Sequence, residues 1–241
     1  KNSTIEYCRV TPTRKDDGSI AEKGMTDVTN KYDVAIGALG GNNVYASGFV
    51  GCMAGEAKII DCFSTAQCYS YAASYVGVVA VTRAWTGGLA GRILTEKGNE
   101  LVRSHFAGDL SSRQYNPIAV IPIIQNDVNL GGIGARANKD DAKVTECYFK
   151  PSVSLTGNSQ GNPAKKKIPS FGGDGTTKGD GYGPWDDERY TTRELWEEHD
   201  YDFCAGTKRS TANDEALGGT HANEWAMDYK LNIPVHGQSV K

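Results

Sequence analysis

The chain has 241 residues, 39% of them hydrophobic and 23% charged, with 29 glycines and 8 prolines. That is ample apolar material for the core of one large or two small domains. A net charge of −3 supplies no bulk attraction for nucleic acid or an anionic membrane. No apolar run approaches the ~18 residues that a membrane-spanning helix needs, so no membrane insertion is expected. The sequence opens without Met, inside what reads as a strand, and is expected to be part of a longer chain whose export signal lies elsewhere.

In chain order, Ile5-Glu6-Tyr7-Cys8 reads as the first strand, and the polar, turn-rich stretch from Thr11 to Asp27 as an insertion before a strand from Val34 to Leu39. Three apolar runs then recur. The glycine-flanked run appears as Gly48 to Met53, Gly87 to Leu94 and Leu130 to Ala135. A second run surrounds a Cys or Ser, as Lys58 to Cys68, Glu100 to Leu110 and Lys143 to Val153. The third is rich in Val and Ile: Tyr75 to Val81 and Ile118 to Ile124. Short β-branched runs bounded by Gly, Asn, Asp and Pro predict strands rather than helices.

The runs repeat with a period. Ile59, Leu101 and Val144 lie 42 and 43 residues apart, and Ile5 precedes Ile59 by 54, the excess being the insertion. A fixed period of this length is the mark of a stacked array. Three strands per period predict an all-β, three-faced parallel β-solenoid of about four coils over residues 1–155, right-handed by the usual preference of parallel crossovers. Cys8, Cys62, Ser104 and Cys147 then form one structural column. Its cysteines are expected to point inward as small hydrophobes, although Cys8 and Cys62, on neighbouring coils, would also lie within reach of a disulfide. The glycine clusters lack the P-loop pattern and recur once per coil, which assigns them to coil corners.

Gly48-Phe49-Val50-Gly51 followed by Ile59-Ile60-Asp61-Cys62-Phe63-Ser64-Thr65 resembles the bacterial GLUG motif, in which a G-G-L-[VI]-G-like run precedes I-x-[ND]-C-[YF]-[ST]. Gly87-Gly88-Leu89-Ala90-Gly91 matches the first half, but Ser104-His105 departs from the second; Gly131-Gly132-Ile133-Gly134 with Cys147-Tyr148 matches again. The resemblance covers about residues 47–155. It implies a bacterial surface or secreted protein, such as an adhesin-like chain or the non-catalytic part of an IgA-specific metallo-endopeptidase. It carries over no catalytic residue.

Beyond residue 155, the stretch 156–189 is rich in Gly, Asp and Lys and reads as a loop or linker. Asp174, Asp180 and Asp186 could offer oxygen ligands to calcium, although EF-hand spacing is absent. Residues 190–241 are expected to form a small α/β cap over the last coil: a helix opening at Thr191 or Thr192, then strands at Tyr201 to Phe203, Glu224 to Asp228 and a terminal Ile233-Pro234.

No H-E-x-x-H and no G-x-S-x-G occurs, so the sequence names no catalytic residue. Asp61, Arg103 and Glu146 share one repeat position and are expected to form an exposed ladder of alternating charge. Paired acids on one face would also suit a polysaccharide lyase or glycosidase. Exposed aromatics are the other candidates: Tyr71 and Trp85 at coil corners, Tyr182 and Trp185 in the loop, for a host or environmental glycan or protein ligand. The expectation is a non-enzymatic, extracellular or cell-surface repeat domain serving as adhesin, spacer or ligand-binding scaffold.

Overall fold

The computed structural model describes residues 2–11, 36–41, 43–73, 82–94, 98–115, 126–137, 142–149, 153–157, 164–167, 182–184, 225–228 and 233–236. Every regular element among these residues is a strand. A first pass of the chain gives β1 (Ser3–Glu6), β2 (Arg9–Val10), β3 (Ile36–Gly40), β4 (Asn43–Ser47) and β5 (Val50–Met53). A second gives β6 (Ala57–Ile60), β7 (Phe63–Ser64), β8 (Cys68–Ala73), β9 (Thr82–Gly87) and β10 (Ala90–Ile93). The third follows as β11 (Asn99–Val102), β12 (His105–Phe106), β13 (Leu110–Tyr115) and β14 (Asn126–Gly131). Then come β15 (Ala142–Thr145), β16 (Cys147–Phe149), β17 (Val153–Gly157), β18 (Ala164–Lys167), β19 (Tyr182–Pro184), β20 (Trp225–Asp228) and β21 (Ile233–His236).

Strands pair with their counterparts in the next pass rather than with their sequence neighbours. The sheets run β1-β6-β11-β15, β2-β7-β12-β16-β19, β3-β8-β13-β17-β18, β4-β9-β14 and β5-β10. Pairing within them is parallel except between β17 and β18, and the separate β20–β21 hairpin is antiparallel. Ile5 pairs with Ile59, Ile59 with Leu101 and Leu101 with Val144, the register that the sequence period implies. Among the described residues the fold is therefore all-β and β-solenoid-like.

The strand inventory differs from the expected three per pass, because five strands lie between Ala57 and Ile93. The run from Lys58 to Cys68 is broken at Asp61, whose φ is +51°. The equivalent residues Tyr7 (+50°), Arg103 (+40°) and Glu146 (+51°) break β1 from β2, β11 from β12 and β15 from β16 in the same way. A left-handed residue turns the chain sharply and ends pairing in that direction, which divides one apolar run between two sheets. The Val- and Ile-rich runs Tyr75–Val81 and Ile118–Ile124 lie outside the described residues, as does the helix expected after Thr191. Strands β18 and β19 fall inside 156–189, where the composition predicts a loop, and each adds to the edge of a sheet.

The core lies inside the winding. Ile59, Leu101 and Val144 stack there with Met53, Leu89, Ile93, Phe106, Ile133 and Phe149, all at most 1% exposed. Gly48, Gly88 and Gly132 form the matching corner. A Cβ on Gly48 would sit 2.7 Å from the Cβ of Ser64, one on Gly88 would sit 2.6 Å from Phe106 Cγ, and one on Gly132 would run into the ring of Phe149. The corner backbone thus lies directly against the inward residues of β7, β12 and β16. Close approach, not positive φ, is what these glycines provide.

The other interior seam is polar. Ser70 Oγ lies 2.6 Å from Thr86 Oγ1 and 3.0 Å from Ser112 Oγ, Ser112 Oγ donates to the carbonyl of Ala84 (2.6 Å), and Thr86 Oγ1 donates to that of Ser111 (2.7 Å). These hydroxyls satisfy one another between the β8–β13 and β9 faces, so the small polar residues there cost little to bury.

Candidate functional site

The column of Cys8, Cys62, Ser104 and Cys147 follows directly after the left-handed residues, and its chemistry follows from that turn. Each side chain donates to the carbonyl two residues earlier: Cys8 to Glu6 (3.3 Å), Cys62 to Ile60 (3.0 Å), Ser104 to Val102 (2.8 Å) and Cys147 to Thr145 (3.4 Å). Cys62 and Ser104 also accept from the pass before: the Cys8 N–H donates to Cys62 Sγ (3.4 Å) and the Cys62 N–H to Ser104 Oγ (3.0 Å). The column therefore needs a small donor–acceptor, and Cys or Ser both serve. These cysteines are free thiols, Cys8 exposed and Cys62 and Cys147 buried. Burial pushes the thiols of Cys62 and Cys147 up to about 12, so they stay protonated and inert rather than nucleophilic.

The charged column is not the exposed ladder expected. Asp61 is 2% exposed. Arg103 reaches down one rung and grips it with two hydrogen bonds, Nε to Oδ1 at 2.7 Å and Nη2 to Oδ2 at 2.8 Å. The planar guanidinium fits both carboxylate oxygens, and the hairpin residue His236 lies against the Asp61 backbone. Glu146, one rung further, accepts a hydrogen bond from the Tyr148 hydroxyl (2.5 Å).

Beside this column an outward row, Phe63 and His105, is covered by the β20–β21 hairpin. Trp225 packs 6.2 Å from Phe63 and 5.2 Å from His105, centroid to centroid, and His236 lies 5.0 Å from Phe63 and 4.9 Å from Trp225. His105 Nε2 donates to the Pro234 carbonyl (2.8 Å), and His236 Nε2 donates to the Asp61 carbonyl (2.7 Å). The carbonyls can only accept, so both Nε2 atoms carry the proton. Burial drives His105 down to about 3 and lowers His236 as well, leaving both neutral. The C-terminal hairpin thus lies along the flank of successive rungs, whereas the sequence suggests a cover for the last one.

The corner between β9 and β10 is different. Ala84 and Thr86 face the interior, so strand alternation turns Trp85 outward. The sequence predicts an exposed Trp85, yet its exposure is 0%. Tyr45, its neighbour on β4, lies 5.0 Å away, and three guanidinium carbons sit over its ring: Arg136 at 4.7 Å, Arg92 at 5.4 Å and Arg83 at 6.0 Å. Arg92 Nη1 also donates to the Tyr45 hydroxyl (3.4 Å). The indole is enclosed by its own chain, so it cannot act as a stacking platform for a sugar. What the corner presents is positive charge on half-buried side chains.

Tyr71 is half-buried and stacks against Tyr69 at 6.4 Å, on a different face from Trp85. Tyr182 lies in β19, its backbone paired to Cys147. Trp185, Asp174, Asp180 and Asp186 lie outside the described residues, and among the described residues no three or more His, Cys, Asp or Glu converge as a metal site. No motif marks the arginines of the corner, because Arg83, Arg92 and Arg136 sit in different runs. Only the period, which aligns Arg92 with Arg136, could flag them. No protein-family model, no curated protein and no solved structure matches this chain.

Proposed function

We propose that this chain is a surface-exposed or secreted bacterial repeat domain of the GLUG-like kind, a non-enzymatic adhesin, spacer or ligand-binding scaffold. It consists of about four right-handed coils, and its C-terminal segment completes the domain by clamping the flank. The observation that supports this reading is the use made of the reactive side chains. Asp61, the one acid of the repeated position buried with an arginine, is tied to Arg103; His105 and His236 are neutral and hydrogen-bonded to backbone; Cys62 and Cys147 serve the turn. Stacking consumes the groups that a hydrolase or lyase would hold towards its substrate.

The test is a panel of polysaccharides incubated with the intact chain and followed by both affinity electrophoresis and release of reducing ends. Retardation without new reducing ends, or neither signal, fits a scaffold. Turnover that disappears in Asp61→Asn or Glu146→Gln overturns the reading in favour of a carbohydrate-active enzyme.

A further inference from the structure

We propose that the corner formed by Tyr45, Arg83, Arg92 and Arg136 around Trp85 is a binding site for an acidic polysaccharide, one carrying carboxylates or sulfate esters. The inference rests on the scaffold reading for its biological sense, but its chemistry stands on geometry.

Arg92 and Arg136 occupy equivalent positions on adjacent rungs. Ala90 bridges to Gly134, and the Ile93 N–H donates to the Arg136 carbonyl at 2.8 Å, which puts residue 92 opposite residue 136. Rungs lie about 4.8 Å apart. Like charges directly opposite one another on neighbouring strands repel and destabilise the pair. Elsewhere the same stack avoids this: Lys58 pairs with Glu100 across rungs (3.0 Å), and Arg103 pairs with Asp61. At the corner it does the reverse. Arg83 and Arg92 have no carboxylate partner among the described residues, and Arg83 adds a third guanidinium over the same ring.

Packing explains why the arrangement survives. The indole face attracts each cation, and the guanidiniums screen the ring from water. It does not explain why three arginines, rather than one, converge where neutral side chains would cover the ring as well. An anion does. Guanidinium forks bind carboxylate and sulfate oxygens two at a time, and Tyr45 adds a hydroxyl and an aromatic edge of the kind that contacts sugar rings. A linear acidic glycan running along the stack would meet a cation at successive rungs. A nucleic acid is the poorer fit, because the indole at the centre of the corner is enclosed and cannot stack on a base.

The experiment uses the full 241-residue chain at low ionic strength against four immobilised probes: polygalacturonate, dextran sulfate, unmodified dextran and duplex DNA. The expected result is binding to one or both acidic polysaccharides, weakening as salt rises, with neither dextran nor DNA bound comparably. Binding only to polygalacturonate assigns carboxylates, binding only to dextran sulfate assigns sulfate esters, and binding to both assigns the shared anion chemistry. Arg92→Gln with Arg136→Gln should lower affinity at least about tenfold, while Lys143→Gln, on the β15 face, should not. Arg92→Lys, which keeps the charge but not the fork, should fall between them and guards against a folding defect in the double variant. No binding of either polyanion by the intact chain, an unchanged affinity in the double variant, or preference for dextran or DNA overturns the site. Failure here leaves a spacer role standing, whereas cleavage of a bound polysaccharide would sink the scaffold reading and leave the site in place.

Discussion

Two outward-facing aromatic patches are both removed from solvent, by opposite means. On the flank, Phe63 and His105 are covered by a distant segment of the chain, and the covering groups are neutral: Trp225, His236 and the Pro234 carbonyl. At the corner, Trp85 is covered by arginines of its own rung and of the next, whose side chains remain charged. The flank is thus finished as a second, dry core, with the Nε2 atoms of both histidines bonded to backbone carbonyls. The corner carries three guanidiniums on half-buried side chains. In a stacked repeat the inward positions are constrained alike in every rung, so individuality resides in the outward ones. Here that individuality separates a structural patch from a recognition patch.

The largest expected effect removes the frame under both patches. Gly88→Ala would force a Cβ against Phe106 and the next corner, so denaturant unfolding should show a loss of about 3 kcal/mol or more, or no soluble product. Trp225→Ala should strike the flank alone. It removes a side chain that is 2% exposed, for a cost of about 3 kcal/mol, and the C-terminal hairpin should become sensitive to limited proteolysis while binding at the corner persists.

Acid should also separate the patches. His105 and His236 are held neutral, below the ordinary value of 6.5, so above about pH 6.5 they contribute full stability. As the pH falls below that, the unfolded chain binds protons that the folded one refuses. Stability is then lost at up to about 1.4 kcal/mol per pH unit for each histidine, continuing towards pH 3 for His105. Thermal melting followed from neutral pH to about pH 4.5 should show this slope, and His105→Phe should flatten it. A wild-type slope no steeper than the variant's would mean that His105 is accessible to protons and the flank is not dry. The smallest effect should come from Arg92→Gln, which trades one cation–π contact for an amide and relieves a like-charge pair. Its stability should change by less than about 1 kcal/mol by denaturant unfolding. A larger loss would make the corner, like the flank, a structural patch.

Much of this architecture is legible in the residues alone. The spacing of Ile5, Ile59, Leu101 and Val144 defines the register, because a side chain that slips one residue in a parallel stack leaves the core. The recurring glycines mark the corners. The break at Asp61 is hidden, since left-handed backbone at Tyr7, Arg103 and Glu146 has no residue signature in common. Its consequence is hidden with it: the donor–acceptor role of the Cys and Ser column.

What the sequence alone determined is the periodic part: parallel pairing from pass to pass, and the register that stacks Ile5, Ile59, Leu101 and Val144. Those follow from local apolar patterning repeated at a constant interval, so each rung carries its own instructions. What only the tertiary structure decided is how the outward residues are used. Whether Trp85 is bare or fully enclosed, and whether Phe63 meets water or Trp225, depends on groups from other parts of the chain, Arg136 and Tyr45 in the one case and the C-terminal hairpin in the other, being brought together in space. No interval within a single rung encodes such contacts.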